Sequence, residues 1–122
     1  MVYTLQKTIA FEASHQLVGH DGKCARLHGH SWKAVIVCSG NNLIDDGAKK
    51  NMLIDYGDIK KEIKYLLDDY LDHHHLNYTL GTDSPTSEYV AKWLFDKLKP
   101  KIPLLNKIVV RETCTSECIY SE

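Results

Sequence analysis

From Val2 to His15 apolar and polar positions alternate. Tyr3, Leu5, Ile9, Phe11 and Ala13 share one parity, with Lys7 the exception, and His15 falls on the same parity. A period of two over this length predicts a half-buried strand. Gly19 to Gly22 reads as a loop. A second strand is predicted over His28–Ser39, where His28, His30, Trp32, Ala34, Ile36 and Cys38 lie in phase. Asn41 to Asn51 reads as a hairpin-like loop, and Met52 to Tyr56 as a short apolar lead into a helix. The helix starts near Asp58 and lines up Ile59, Ile63, Leu66, Leu67 and Tyr70 on one face. A second helix is predicted with Ser84 as N-cap and Pro85 at its first position. Its apolar stripe is Tyr89, Val90, Trp93, Leu94 and Leu98, and Pro100 ends it. Lys107–Thr113 alternates again, and a turn at Thr115 to Glu117 leads to a last strand, Cys118–Tyr120. The order strand, strand, helix, helix, strand, strand predicts an α+β domain: a four-stranded antiparallel sheet with two helices on one face.

Composition narrows the function classes. The 122 residues suit a single domain spanning 1–122. The net charge of -1, with no dense Lys/Arg cluster, argues against nucleic-acid binding. No apolar stretch is long enough for a signal peptide or a membrane span, so a cytoplasmic protein is expected. On that basis Cys24, Cys38, Cys114 and Cys118 are expected as reduced thiols. Seven histidines is a high count, and they gather between His15 and His30 and at His73 to His75.

The strongest local feature is Cys24-Ala25-Arg26-Leu27-His28-Gly29-His30. Histidines two apart on a strand face the same way, and Gly29 removes the side chain between them. If the first two strands pair, His15, His28 and His30 converge. Three neutral imidazoles with an open fourth position point to a catalytic zinc site. Cys24 suits either a thiolate acid–base or a small buried hydrophobe. Asp72-His73 suits either a proton relay, in which the carboxylate orients the imidazole, or a helix C-terminus. Glu112 lies on the apolar parity of its strand, after Ile108 and Val110. A carboxylate there needs a partner, either a ligand offering two parallel donors or a salt bridge at the strand end.

With these segments in hand the chain resembles the 6-pyruvoyl-tetrahydropterin synthase superfamily over almost its whole length. The resemblance is carried by Phe11-Glu12-Ala13-Ser14-His15, Cys24-x3-His28-Gly29-His30, Leu71-Asp72-His73-His74-His75-Leu76-Asn77, Ser84-Pro85-Thr86-Ser87-Glu88 and Arg111-Glu112-Thr113-Cys114-Thr115. The three-residue gap between Cys24 and His28 resembles the carboxy-forming branch of queuosine biosynthesis. The resemblance implies the tunnelling fold (T-fold), with sheets closing into a barrel in a homohexamer, a dimer of trimers. It implies one Zn2+ per subunit on His15, His28 and His30, with Cys24 as proton acceptor and Asp72 and His73 as its relay. It implies Glu112 as the pterin anchor, coupled to that relay, with Thr86, Ser87 and Glu88 helping to hold the pterin. The expected substrate is a small pterin triphosphate, with Lys23 and Arg26 as candidates for its phosphates, and no nucleic-acid or membrane partner is expected. The expected activity is a zinc-dependent lyase. The alternatives are the pyruvoyl-forming reaction and a non-catalytic zinc module. Two positions depart from the family pattern: Asn51, where glycine is common, and Tyr78, where aspartate often follows Leu-Asn.

Overall fold

A computed structural model describes all residues, Met1–Glu122. Two long strands, β1 (Tyr3–His15) and β2 (His28–Gly40), pair antiparallel along their full lengths. Helix α1 (Tyr56–Leu66) follows, and one wider turn, Leu67–Leu71, extends it. Next come β3 (His74–His75), the single-turn α2 (Leu76–Thr79) and α3 (Ser87–Leu98). A hairpin of β4 (Leu105–Thr113) and β5 (Ser116–Ser121) closes the chain. The sheet order is β3-β1-β2-β4-β5.

The expected four strands are therefore five. The addition, β3, pairs parallel to β1 through Ala13 and Ser14. Its cause is local. The Asp72 carboxylate accepts the Glu12 N–H (2.9 Å), and the His73 N–H donates to the Glu12 carbonyl (2.6 Å). His73 has φ 61°, and this left-handed residue turns the next two residues along β1. A non-glycine residue there costs on the order of 1–3 kcal/mol, so the surrounding hydrogen bonds must hold it.

The period-two phase of the long strands is realised as burial. Ile9, Phe11, Ala13 and His15 of β1 are buried, as are Trp32, Ala34 and Ile36 of β2 and Ile108 and Val110 of β4. Apart from His15, they join Ile59, Ile63 and Leu66 of α1 and Val90, Leu94 and Leu98 of α3 in one hydrophobic cluster of 22 residues. Both helices thus cover one face of the sheet. Phe11 stacks on Trp32 with ring centroids 5.9 Å apart, just below the histidines.

Helix starts differ from expectation. Asp55 caps α1 by accepting the Gly57 N–H at 2.7 Å, so the helix begins at Tyr56, two residues before Asp58, and Asp58 is tied to Lys49 instead. Thr86, not Ser84, caps α3, accepting the Tyr89 N–H at 3.1 Å. Pro85 lies outside the helix, because a turn from Ser84 to Thr86 precedes the cap. The buried stripe of α3 shifts accordingly: Ala91 and Phe95 are in the core, while Tyr89 is exposed. Asn51 has φ 68°, the conformation glycine favours and asparagine tolerates best among the rest. That accounts for the exchange at this turn. Tyr78 is 86% exposed and constrains nothing in the core. No helix is long and apolar enough to cross a membrane.

Candidate active site

The pairing of β1 with β2 sets His15 opposite His28 and Ala13 opposite His30. The three imidazoles therefore meet at one end of the sheet, each offering a nitrogen within 4.8 Å of the others. Their ring centroids lie 4.5 to 5.1 Å apart. Trp32 forms the floor, edge-on to His15 at 5.0 Å and to His30 at 5.5 Å.

Two backbone carbonyls fix the tautomers. His15 Nδ1 lies 2.9 Å from the Pro85 carbonyl, and His28 Nδ1 lies 2.7 Å from the Arg26 carbonyl. A carbonyl only accepts, so each Nδ1 carries the proton and each Nε2 keeps a lone pair. This is the arrangement that orients metal-ligating histidines in general. The Nε2 atoms of His15 and His30 are buried without a hydrogen-bond partner. Unpaired buried polar atoms are rare and costly, and a cation held by their lone pairs removes that cost. Burial holds the His15 pKa below the ordinary imidazole value, against the opposing pull of the Pro85 carbonyl. His15 is therefore in the neutral form a metal requires. The donor set, three nitrogens and no protein fourth ligand among them, fits a zinc site with one position open to substrate.

Cys24 sits on a single 3-10 turn, Lys23–Ala25, between the long strands. It is half-buried and unbridged, and the other three cysteines are free thiols too. Cys24, His28, His30 and Glu112 line one cleft of about 350 Å3, with Lys23 and Arg26 at its wall. Glu112 is reached because β4 pairs with β2, and its Oε2 lies 3.7 Å from His30 Nε2. That distance is too long for a hydrogen bond. Its neighbour Arg111 turns away to Glu117 at 2.6 Å. Glu112 therefore has no salt bridge to Arg111; its carboxylate faces the cleft, and the basic group within ion-pair range of it is His30.

Asp72 and His73 form their pair, Oδ2 to Nδ1 at 3.0 Å. The Glu12 N–H and then the His73 ring lower the Asp72 pKa. The pair lies elsewhere in this chain, however. His73, His74 and His75 line a second cleft of about 590 Å3 with Glu12, Ser14 and Ser31. Glu12, Ser14 and Ser31 have the parity opposite to His15 and His30, although His30 lines this cleft as well as the one that holds Cys24. His74 and His75 are engaged locally, at the Asp68 carbonyl (2.8 Å) and the Ser14 hydroxyl (3.0 Å). Thr86, Ser87 and Glu88 start α3; Ser87 donates to Glu88 at 3.0 Å, and none of the three lines either cleft. What sequence reasoning missed is the part played by Pro85 and Arg26. They act through backbone carbonyls, which every residue carries, so no side-chain pattern marks them.

A mainly antiparallel five-stranded sheet under two helices, with three imidazoles aimed at one point beside a thiol and a carboxylate, defines a tunnelling-fold protein with a three-histidine centre that could hold a metal. A 6-pyruvoyl tetrahydropterin synthase family profile matches residues 4–122. Over 120 residues the chain is 41% identical to the 6-carboxy-5,6,7,8-tetrahydropterin synthase of Synechocystis sp., covering 98% of this chain and 93% of that one. The enzyme of the same description from Haemophilus influenzae is 34% identical over 142 residues, covering 99% of this chain and all of the relative. Among solved structures, Caenorhabditis elegans 6-pyruvoyl tetrahydropterin synthase superposes with a TM-score of 0.84 at 27% identity, over all of this chain and 96% of that one. The chain belongs to the 6-pyruvoyl tetrahydropterin synthase family, and it is a lyase.

Proposed function

We propose that this lyase takes 7,8-dihydroneopterin triphosphate and one water to 6-carboxy-5,6,7,8-tetrahydropterin, acetaldehyde and triphosphate, in queuosine biosynthesis. The observation that carries it is the single cleft in which Cys24, His28, His30 and Glu112 converge. The choice of product is supported by the carboxy-forming relatives named above.

His15, His28 and His30 would hold zinc through the nitrogens that the structure leaves free of protons or partners. When bound, it supplies Lewis acidity for the hydroxyls of the substrate side chain. Glu112 accepts two parallel donors from the pterin edge, a geometry carboxylates take well. Cys24, as thiolate, removes and returns protons on the side chain next to the ring. Lys23 and Arg26 supply positive charge for the triphosphate at the same wall. Asp72 orients His73 to pass the proton onward. Within one chain that pair opens on a different cleft from Cys24. The relay therefore needs the His73 of one subunit beside the Cys24 of another, in a homohexamer built as a dimer of trimers. Thr86, Ser87 and Glu88 reach the pterin through the same assembly. Barrel closure also covers the free edge of β5, which an isolated sheet leaves open.

A second reading, the pyruvoyl-forming reaction, is favoured by the closeness of the C. elegans fold. It eliminates triphosphate without splitting the side chain. Incubating the zinc-loaded protein with 7,8-dihydroneopterin triphosphate and identifying the products separates the two. Acetaldehyde with the carboxy product is expected. A pyruvoyl product without acetaldehyde overturns the proposal.

A further inference from the structure

Three pieces of the centre come from separate stretches of chain: the end of β1 at His15, the Pro85 carbonyl that orients it, and the loop bearing Cys24. One side chain lies between them. Asn77, on α2, accepts the Gln16 N–H through Oδ1 at 2.9 Å. Its Nδ2 donates to the Gln16 carbonyl at 2.7 Å and to the Asp83 carbonyl at 3.3 Å. Gln16 follows His15 directly, and Asp83 lies two residues before Pro85. The adjoining backbone completes the connection. The Val18 N–H donates to the same Asp83 carbonyl at 3.0 Å, and the Leu17 N–H to the Cys24 carbonyl at 2.8 Å.

We propose that Asn77 is a positioning residue that sets the His15 ligand, its orienting carbonyl and the Cys24 turn in one arrangement. The residue type follows from the demand. The site requires one acceptor and two donors from a short, rigid group, and a carboxamide supplies both. An aspartate keeps the size and the acceptor but faces two carbonyls with no hydrogen to give. A ligand held from behind in this way keeps its lone pair aimed, and loss of such support typically costs 10- to 100-fold, as an order of magnitude, in metal affinity. Asn77 lies five residues after Asp72 in the same short segment, so the segment that carries the relay also braces the metal centre.

The inference rests on the zinc reading given above. The test therefore begins by titrating the metal-free wild-type chain with Zn2+ against a chromophoric chelator. A wild type that binds no zinc removes that reading and this inference together. N77D, N77A and T79A follow in the same titration, with the visible spectrum of each Co2+ form. Thr79 is the control, since its hydroxyl bonds the Tyr70 and His75 carbonyls from the same helix without touching Gln16 or Asp83. The expected result is a loss of roughly 10- to 100-fold in affinity and an altered Co2+ spectrum for both Asn77 variants. T79A keeps wild-type affinity and spectrum while melting at a lower temperature. The inference is overturned by N77D affinity and spectrum equal to wild type. It is overturned equally by T79A losing as much affinity as N77D. If metal-free N77D and N77A lack the circular dichroism of the folded chain while T79A keeps it, Asn77 is a folding residue and the inference also fails.

Discussion

Replacing His15 by leucine separates the ligand's part in metal binding from its part in packing. His15 is 1% exposed and sits against Trp32, and leucine fills similar space. Without metal, the wild-type chain carries an unpaired buried Nε2, worth about 1–3 kcal/mol of destabilisation. Leucine removes that group but leaves the Pro85 carbonyl without its donor, a cost of about the same size. The metal-free proteins should therefore melt within a few degrees of each other. Zinc separates them. At a free concentration of about 100 times Kd, it stabilises the wild type by about 2.7 kcal/mol. For a chain of 122 residues, each kcal/mol moves Tm by roughly 3–6 °C, so a rise on the order of 8–15 °C is expected. Structural zinc sites gain about 10–16 kcal/mol from four ligands, so one ligand is worth about 3 kcal/mol, a factor of roughly 150 in Kd. At the same zinc concentration H15L should then shift by only about 1–2 °C. Differential scanning fluorimetry with and without zinc measures both. A zinc-induced rise in H15L equal to that of the wild type refutes the three-histidine site.

Three further outcomes follow from the same geometry. E112Q keeps the side chain's shape but loses its charge and one acceptor. It should lower kcat/KM by roughly 10- to 100-fold, the worth of one or two charge-assisted hydrogen bonds, with zinc content unchanged; steady-state kinetics within a few-fold of wild type contradicts the anchoring role. The Asp72 carboxyl titrates below its ordinary value of 3.8 because the Glu12 N–H and His73 hold the charged form. Its stabilisation is therefore complete above that value and is lost as the pH falls through the lower folded value; D72N should flatten the acid limb of a denaturation series below about pH 4, and an unchanged limb contradicts this. Finally, if Cys24 and His73 meet across subunits, inactive C24A and H73A should regain activity when refolded together, up to about a quarter of wild type, since a random mixture leaves one such site in four intact. No recovery places both groups in one chain.

The long strands were legible because burial alternates along β1 and along β2 from His28 to Ile36, before the irregularity at Val37 and Cys38 breaks the phase. That phase alone carried His15, His28 and His30 to one face, and it put Glu112 on the side where it meets His30. β3 was not legible. Two residues carry no period, and their pairing depends on the left-handed turn at His73 and on two hydrogen bonds to Glu12. The cap of α3 was misplaced because Ser84-Pro85 has the composition of a helix start. The structure uses that stretch as a turn, which aims the Pro85 carbonyl at His15. The separation of Asp72-His73 from Cys24 within one chain was not legible in the residues themselves, since adjacency in sequence says nothing about which cleft a loop reaches; only the hexamer that the resemblance implies puts the two groups on different subunits.

The proposed chemistry depends above all on an open zinc site with Cys24 beside it as the acid–base and outside the ligand set. C24A tests it most directly when metal content and turnover are measured on the same purified sample. C24A should keep stoichiometric zinc and an unchanged melting temperature while its turnover falls by a factor on the order of 100 or more. Loss of zinc from C24A, or full turnover with zinc in place, would contradict it.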